Sequence, residues 1–518
     1  MDVVSLVLSL AGTLDLCISK GQQIKRFCRE IRNLSKDIEE MTLIIDGICA
    51  KMEVQVGLLK DLWNSPGILQ PSLQTHYALA ISRLYEKLLG AVDGLERSHN
   101  ERLSSTKVSA KVRTLYLTQD LKKVVADLEL WQQRFDPSWY LITLLSAPLI
   151  DEKLQKQGES ASANRLSQIR KTLRDVSHKG QKLDGPIFKS LQMITNHRDQ
   201  IQSTNTYVSY FDEKQVLLDR TNYGPKANPA TTKGHVRDMA RMLSHVDPES
   251  FGLLKCIGAV EIQPSAPSEN VQFEYILEIP KGLEGPRTLR DILLTTPAIS
   301  LTKRLKLAKQ LARSVMFVHT MGFVHKGIRP ETVIIFEKQG NGGCIGPSFL
   351  IGFERMRYEL GQTDNMGDME WQRNLYRHPN RQGLWSEEAF RMHHDIYSLG
   401  VCLLEIALWH SFVSYESDTR LPHPWSELNI DNAIMDRNTQ QGGMRTKGEL
   451  VAISKDRLDR VIGEPYTEIV LACLCCLDQD KGRNVFERSQ GGVKDEDGIV
   501  VGVRYIENIL LKIEELSI

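Results

Sequence analysis

The feature that most constrains this chain is a change of apolar period partway along it. Up to about residue 145, hydrophobic side chains recur every three or four positions over spans much longer than a strand, which calls for α-helices with one buried stripe each. Ile38, Met41, Ile45, Ile48, Met52, Val56, Leu59 and Trp63 make one stripe. Tyr77, Ile81, Leu84, Leu88, Val92 and Leu95 make a second, and Leu117, Leu121, Val124, Leu128 and Trp131 a third. Each must bury against another helix. The breaks at Asn64-Ser65-Pro66-Gly67 and around Ser98 to Ser105 are short enough to make successive helices antiparallel neighbours. An all-α helical bundle over residues 1–145 follows.

From 146 to 204 the chain becomes more polar, with Gly158-Glu159-Ser160-Ala161-Ser162 reading as a loop. Leu166, Ile169, Leu173 and Val176 then give one amphipathic helix, so this stretch reads as a linker and brace. Beyond 205 short β-rich runs appear, Gln215-Val216-Leu217-Leu218 and Phe273-Glu274-Tyr275-Ile276-Leu277-Glu278, and after about 290 helices dominate. Strands first and helices after predict an α+β domain of two lobes over 205–518. A chain of 518 residues exceeds what one core holds, so the multi-domain reading is also the one its length requires.

Charge removes two classes of partner at the level of the whole molecule. With 65 basic against 65 acidic residues, the chain has no general attraction for nucleic acid or anionic lipid, and nucleic acid is not an expected partner. No window holds the ~18 consecutive apolar residues of a spanning helix. The apolar N-terminal segment follows Asp2 and carries Asp15, where a signal peptide needs a basic start, so a cytoplasmic location is expected. The nine cysteines are odd in number, and Cys17, Cys49 and Cys402 sit in helical apolar patterns. Cys473 and Cys476 form C-x-x-C around Cys475 with no second pair, which favours buried helix thiols over a metal or redox site.

Five motifs then occur in order. Phe323-Val324-His325-Lys326-Gly327-Ile328-Arg329-Pro330-Glu331-Thr332-Val333-Ile334-Ile335 resembles the catalytic loop of protein kinases, H-R-D-L-K-P-E-N and the strand after it. Phe349-Leu350-Ile351-Gly352-Phe353-Glu354 lies where the D-F-G segment would stand, and Tyr376-Arg377-His378-Pro379 resembles the end of an activation segment. Asp395-Ile396-Tyr397-Ser398-Leu399-Gly400-Val401 resembles the D-x-x-S-L-G-V helix, and Arg483 sits where the family keeps an arginine. The resemblance implies a two-lobed protein-kinase-like fold without its chemistry. Phosphoryl transfer in that family needs an Asp base plus an Asn and a second Asp for magnesium, and those positions read Gly327, Thr332 and Gly352. No catalytic residue, metal ligand or metal is therefore expected, and the chain is read as a pseudokinase and not an enzyme. No glycine occurs between Ile201 and Val216 to cradle a phosphate, so ATP binding stays open while hydrolysis is not expected. Arg220 falls near the usual β-strand lysine, Arg329 replaces the catalytic-loop lysine, and Glu331 and Glu354 are the carboxylates an atypical active kinase would have to use. His325, Asp395 and Arg483 are expected as fold anchors, with His325 explained equally well as a satisfied core histidine.

The N-terminal bundle resembles the HeLo family of fungal cell-death and prion-inhibition domains. The likeness rests on the apolar first helix and on Trp131-Gln132-Gln133-Arg134-Phe135-Asp136-Pro137-Ser138-Trp139-Tyr140-Leu141-Ile142, where Asp136-Pro137 would end one helix and start another while the indoles cap the core. An ordinary capped helix pair accounts for the same residues. The family resemblance implies a membrane-active segment, here Val3, Val4, Leu6, Val7, Leu8 and Leu10, with core burial as its resting state. Lys25, Arg29, Arg32 and Lys36 step by four, three and four, as four cations along one helix face that would meet an anionic membrane lipid, or as a plain solvated face. Joining the two domains is similar in architecture to the mixed-lineage kinase-domain-like executioners of necroptosis. That resemblance implies an upstream signalling protein, homo-oligomerisation on activation and movement to the plasma membrane. A non-lytic scaffold or nucleotide-binding signalling module is the alternative from another class.

Overall fold

The computed structural model describes residues 3–65, 69–104, 110–144, 150–152, 154, 167–168, 170–171, 187–222, 229–263, 272–340, 345–353, 357–358, 370–382, 390–416, 421–430, 439–478, 484–486 and 499–517. The chain divides into two compact units, Met1–Arg170 and Lys171–Ile518. The division falls inside the segment read as a linker.

Among the described residues the first unit is built on four long helices, α1 (Val3–Ile31), α2 (Lys36–Trp63), α3 (Pro71–Ser104) and α4 (Ala110–Tyr140). The second and third stripes are buried throughout; in the first, Ile48 and Trp63 are half-buried and Cys49 and Leu62 take the core instead. Leu10, Leu14, Cys17, Ile24, Cys28 and Ile31 supply the corresponding stripe on α1. Ion pairs fix the directions. Asp15 with Lys60 and Lys25 with Glu53 run α1 against α2, while Lys87 with Asp127 and Tyr77 OH donating to the Ser138 carbonyl run α3 against α4. The packed pairs are α1–α2, α1–α3, α2–α4 and α3–α4, so α2 and α3 take opposite corners of the bundle. The expected antiparallel pairing is found for α3 with α4, whereas α2 and α3, joined across the first break, face the shared core and not each other. Helix α3 also runs through to Ser104, beyond the expected start of the break at Ser98.

Two further expectations fail here. Ser35 adopts an extended backbone and its Oγ accepts the Ile38 N–H, so α1 stops at Ile31 and a 3-10 turn, Arg32–Leu34, separates it from α2. Lys25 and Arg29 are therefore on α1, Arg32 is in the turn and Lys36 opens α2, and the four cations do not share one helix face. Lys25 is also paired with Glu53 at 3.2 Å. Second, α4 passes through Asp136-Pro137 without ending. Asp136 instead accepts hydrogen bonds from Lys51 and Gln55 on α2, at 2.7 and 3.1 Å. Trp139 is fully buried and Trp131 stacks on Phe135, so both indoles are core residues and not caps. A proline inside a helix costs about 3 kcal/mol, which the burial of Trp139, Tyr140, Leu141 and Ile142 offsets.

Of the proposed membrane segment, Leu10 is buried, while Val3, Val4, Leu6, Val7 and Leu8 lie on α1 with side chains outside the described residues. Among the described residues no helix is long and apolar enough to cross a membrane. The brace positions Leu166, Ile169, Leu173 and Val176 lie outside the described residues too. Arg170 beside them is buried, gripping Asp151 through Nε and Nη2 at 2.8 and 3.0 Å.

The second unit is α+β with antiparallel sheets. Strands β1 (Asp199–Gln200), β2 (Thr206–Phe211), β3 (Lys214–Asn222), β4 (Cys256–Ile262) and β5 (Gln272–Glu278) form one sheet in the order β1-β2-β3-β5-β4, with helix α5 (Pro229–Ser244) between β3 and β4 in sequence and packed on β4. Phe188 bridges to Ala259 and β1 begins at Asp199, so residues just ahead of 205 belong to this unit. Ile194, Phe211, Val216, Leu218, Val260 and Ile276 pack as one buried cluster. A second sheet, β6 (Leu283–Thr288) with β8 (Val333–Lys338) and β9 (Ile345–Leu350), follows, with α6 (Leu289–Thr295), α7 (Leu301–Thr320) and the short strand β7 (Phe323–Val324) between β6 and β8. Beyond it come α8 (Trp371–Asn374), α9 (Met392–Leu408), α10 (Gln440–Ile453) and α11 (Glu464–Leu474). Helix α9 is buried along nearly its whole length between α7 and α11, and it carries Asp395 to the loop after β7.

Candidate functional site

The loop Lys326–Thr332, the turn after β9 and strand β3 converge at one place. Asp395 organises the loop: its carboxylate accepts the N–H of His325 at 2.7 Å and of Lys326 at 2.9 Å, with His319 Nε2 at 3.2 Å. Lys326 is thereby held with φ at +63°, a left-handed conformation that costs a non-glycine residue about 1–2 kcal/mol. His325 Nε2 lies 2.9 Å from the Ile351 carbonyl, which can only accept, so Nε2 carries the proton and Nδ1 accepts the Gly327 N–H. Both expected anchors, His325 and Asp395, thus meet in one fully buried cluster that ties the loop to α9 and to the strand end. The third, Arg483, lies outside the described residues.

Gly327, Thr332 and Gly352, the three positions where the resembled motif carries its acids and amide, also come together. The Thr332 hydroxyl closes the loop, donating toward the carbonyls of Gly327 and Arg329 at 2.9 Å and accepting the Arg329 N–H at 3.1 Å. Its oxygen is committed to the backbone. Gly352 has φ +86°, and a Cβ there would lie 2.5 Å from Thr332 Cγ2, so both backbone and space exclude a side chain. Gly327 is different. A Cβ would meet nothing closer than Arg329 Nη1 at 3.4 Å, so the missing acid at that position is not enforced by packing.

Sequence reasoning missed Asp219, the carboxylate at the centre of the site. It projects from β3, is 3% exposed, and accepts the N–H groups of Gly352 and Phe353 at 3.0 and 3.2 Å and the Thr206 hydroxyl at 3.1 Å. The signal was present: an acid ending the apolar run Val216-Leu217-Leu218 needs donors if the strand is buried. Arg220, the residue expected near the lysine position, is held across the sheet by Glu274. Its Nε and Nη2 lie 2.9 and 2.7 Å from Glu274 Oε1, which also takes Arg198, and its guanidinium stacks over Tyr207. The space bounded by Thr206, Asp219, Arg329, Thr332 and Gly352 is about 20 Å³, enough for one or two waters.

Glu331 is not available for proton transfer. Arg290, 1% exposed, binds it at 3.0 Å and also binds Glu405 at 2.8 Å, Ser411 at 2.6 Å and the Tyr376 hydroxyl. Burial pushes the Glu331 carboxyl up, but the Arg290 and Arg329 guanidiniums outweigh it and leave its pKa below the usual glutamate value. For Glu405 burial wins over the same guanidinium, and its pKa is raised. Glu354 lies outside the described residues. Burial raises the thiol pKa values of Cys473 and Cys476, and Cys17, Cys49 and Cys402 are buried likewise, the packing expected of helix thiols. Among the described residues no group of three or more His, Cys, Asp or Glu side chains is placed to hold a metal. No protein-family model matches the chain and no curated protein matches it.

Proposed function

We propose that the second unit is a two-lobed, protein-kinase-like domain without phosphoryl-transfer activity. In this reading it controls the first unit, a HeLo-like bundle that acts on membrane in regulated cell death or incompatibility. The observation that carries the first part is Asp219. Nucleotide phosphates need magnesium held by acid or amide side chains, whereas the carboxylate of this cleft, Asp219, is committed to the N–H groups of Gly352 and Phe353, Gly352 has no room for an acid, and the lining cations Arg220 and Arg329 pair with Glu274 and Glu331. The ordered motif resemblance supports the lobed fold, and the fully buried anchor pair of His325 and Asp395 supports retention of architecture over catalysis. The membrane part rests on the HeLo resemblance and on the apolar start of α1, with an upstream signalling protein as trigger, homo-oligomerisation as the active form and anionic lipid at the plasma membrane as target.

Incubation of the purified chain with γ-labelled ATP and magnesium tests the first part. The expected outcome is no label in the chain or in added protein; incorporation that persists through rigorous purification overturns it. Dye release from anionic vesicles by Met1–Arg170, after its helical melting has been checked, tests the second part, and intact vesicles at every concentration and oligomeric state overturn it.

One observation favours the signalling-module alternative. A cavity of about 240 Å³ lined by Gln200, Val208, Arg287, Thr288 and Asp291 lies between the first sheet and the start of α6, where a small molecule has room. A rise in the unfolding midpoint of the whole chain with ATP, unchanged when magnesium is omitted, would support that alternative.

A further inference from the structure

The chain enters the second unit through a short strand laid on the outer edge of β4. The Ala259 N–H donates to the Ile187 carbonyl at 3.0 Å and the Lys189 N–H to the Ala259 carbonyl at 2.8 Å, the alternation of a parallel ladder. The Phe188 ring lies against Phe273 of β5, with centroids 6.0 Å apart, and Lys233 Nζ of α5 stands 4.9 Å from its centroid. Lys233 in turn pairs with Glu261 of β4 at 2.5 Å. Gly258 makes the room: a Cβ there would lie 2.6 Å from the Ile187 carbonyl oxygen and 3.0 Å from two side-chain carbons of Lys189. Ile187, Phe188 and Lys189 are all half-buried, and among the described residues their backbone makes those two ladder bonds and no others. Past them the chain leaves the edge as a 3-10 turn, Leu191–Met193, with Leu191 and Met193 exposed, and Ile194 then enters the buried cluster of the first sheet.

We propose that Ile187–Lys189 is a releasable strap: it peels from β4 while the five-stranded sheet stays folded, and so sets how closely the preceding chain is held to the second unit. Two backbone hydrogen bonds and one ring hold the strap, whereas β3 and β5 pair continuously from Val216 to Asn222. A segment with few buried contacts and a half-exposed backbone opens at a lower free energy than the strands around it. Ile194 ends the opening, because from there the chain is bound into the buried cluster and then into β1. Release frees Ile187–Met193, seven residues with a reach of up to about 25 Å from Ile194. The linkage is reciprocal. A pull on the chain ahead of Ile187 favours the released state, and tightening of the β4 and α5 seat around Phe188 favours the docked one. Control of the first unit through the strap rests on the function proposed above; the opening of the strap does not, and it is measured without membrane, so either can fail while the other stands.

The test is amide hydrogen exchange of the full chain at single-residue resolution. In the unchanged protein the Lys189 and Ala259 N–H groups are expected to exchange about tenfold or more faster than the paired amides of β3 and β5. Gly258→Ala places a methyl against the Ile187 carbonyl, where the strap is the element free to give. It is expected to speed exchange at Lys189 and Ala259 by a further factor of about ten or more, to leave β3 and β5 unchanged, and to accelerate tryptic cleavage after Lys189. A strand that merely covers the sheet edge would open only with the sheet and show one common rate. Protection of Lys189 and Ala259 equal to that of β3 and β5 overturns the proposal, as does a Gly258→Ala variant that leaves Lys189 unchanged or loosens β3 and β5 equally. Should that variant not fold, the comparison within the unchanged protein decides alone.

Discussion

Single residues decide whether the site could ever regain acids. At Gly352 the left-handed backbone and the 2.5 Å approach of Thr332 Cγ2 act together. Gly352→Ala should destabilise the second unit by about 2–4 kcal/mol, the sum of the conformational and overpacking costs. Adding Thr332→Ser, which removes the methyl and keeps the hydroxyl, should recover the steric part, and recovery in thermal melting of the double variant checks this. His378 makes a second prediction. Burial and, after it, Lys447 push its pKa down to about 2, so it folds neutral. A histidine depressed in the folded state contributes fully above its ordinary pKa near 6.5 and loses that contribution as pH falls. Between pH 6.5 and 5, stability should drop by up to about 1.4 kcal/mol per unit relative to His378→Gln, read as the difference between the two unfolding midpoints. Gly327, Thr332 and Gly352 were legible in the sequence because their motif is local. Asp395 was legible too, through its own motif, and accepts the loop N–H groups as expected; the hydrogen bonds of Asp219 were not, since it comes from far along the chain and belongs to no motif.

At the scale of elements, the buried stripes could be read because period alone sets which face of a helix is apolar. What period does not encode is where a helix stops and which neighbour it meets. The row Lys25, Arg29, Arg32, Lys36 keeps helical spacing across a chain reversal, because one Ser35 cap outweighs propensity on either side. Pro137 misleads in the opposite sense: local chemistry predicts a boundary, and packing of the residues after it carries the helix through. Helix contacts at close range give a sharper test. A Cβ on Gly400 of α9 would lie 2.7 Å from Cys473 Cβ and 3.2 Å from the Leu474 backbone nitrogen of α11, neither of which can swing away. Gly400→Ala should therefore cost about 1–3 kcal/mol even though alanine is the better helix former by about 1 kcal/mol. Gly47→Ala on α2, where a Cβ meets nothing within 4 Å, should instead stabilise by up to about 1 kcal/mol. Opposite signs in the two melting experiments are the expected result.

At the scale of the whole molecule, the proposed loss of catalysis is spread over parts of the chain that no single motif reports. The sequence reading placed it in three positions of the loop and the following turn. The structure adds Asp219 on the first sheet, whose carboxylate accepts the very N–H groups that flank Gly352. Restoring acids and amide together, as Gly327→Asp with Thr332→Asn and Gly352→Asp, should therefore leave the chain inactive. Thr332→Asn relieves the methyl contact, but two carboxylates, Asp219 and the new one at 352, would then crowd one small space whose cations, Arg220 and Arg329, already pair with Glu274 and Glu331. Changing Asp219 to Lys in that background would exchange the repulsion for the positive charge that phosphates need. The expected order is thus no magnesium-dependent transfer of labelled phosphate by the triple variant, and any gain confined to the quadruple one. Transfer by the triple variant alone would mean that Asp219 is not the residue that closes this cleft to nucleotide chemistry.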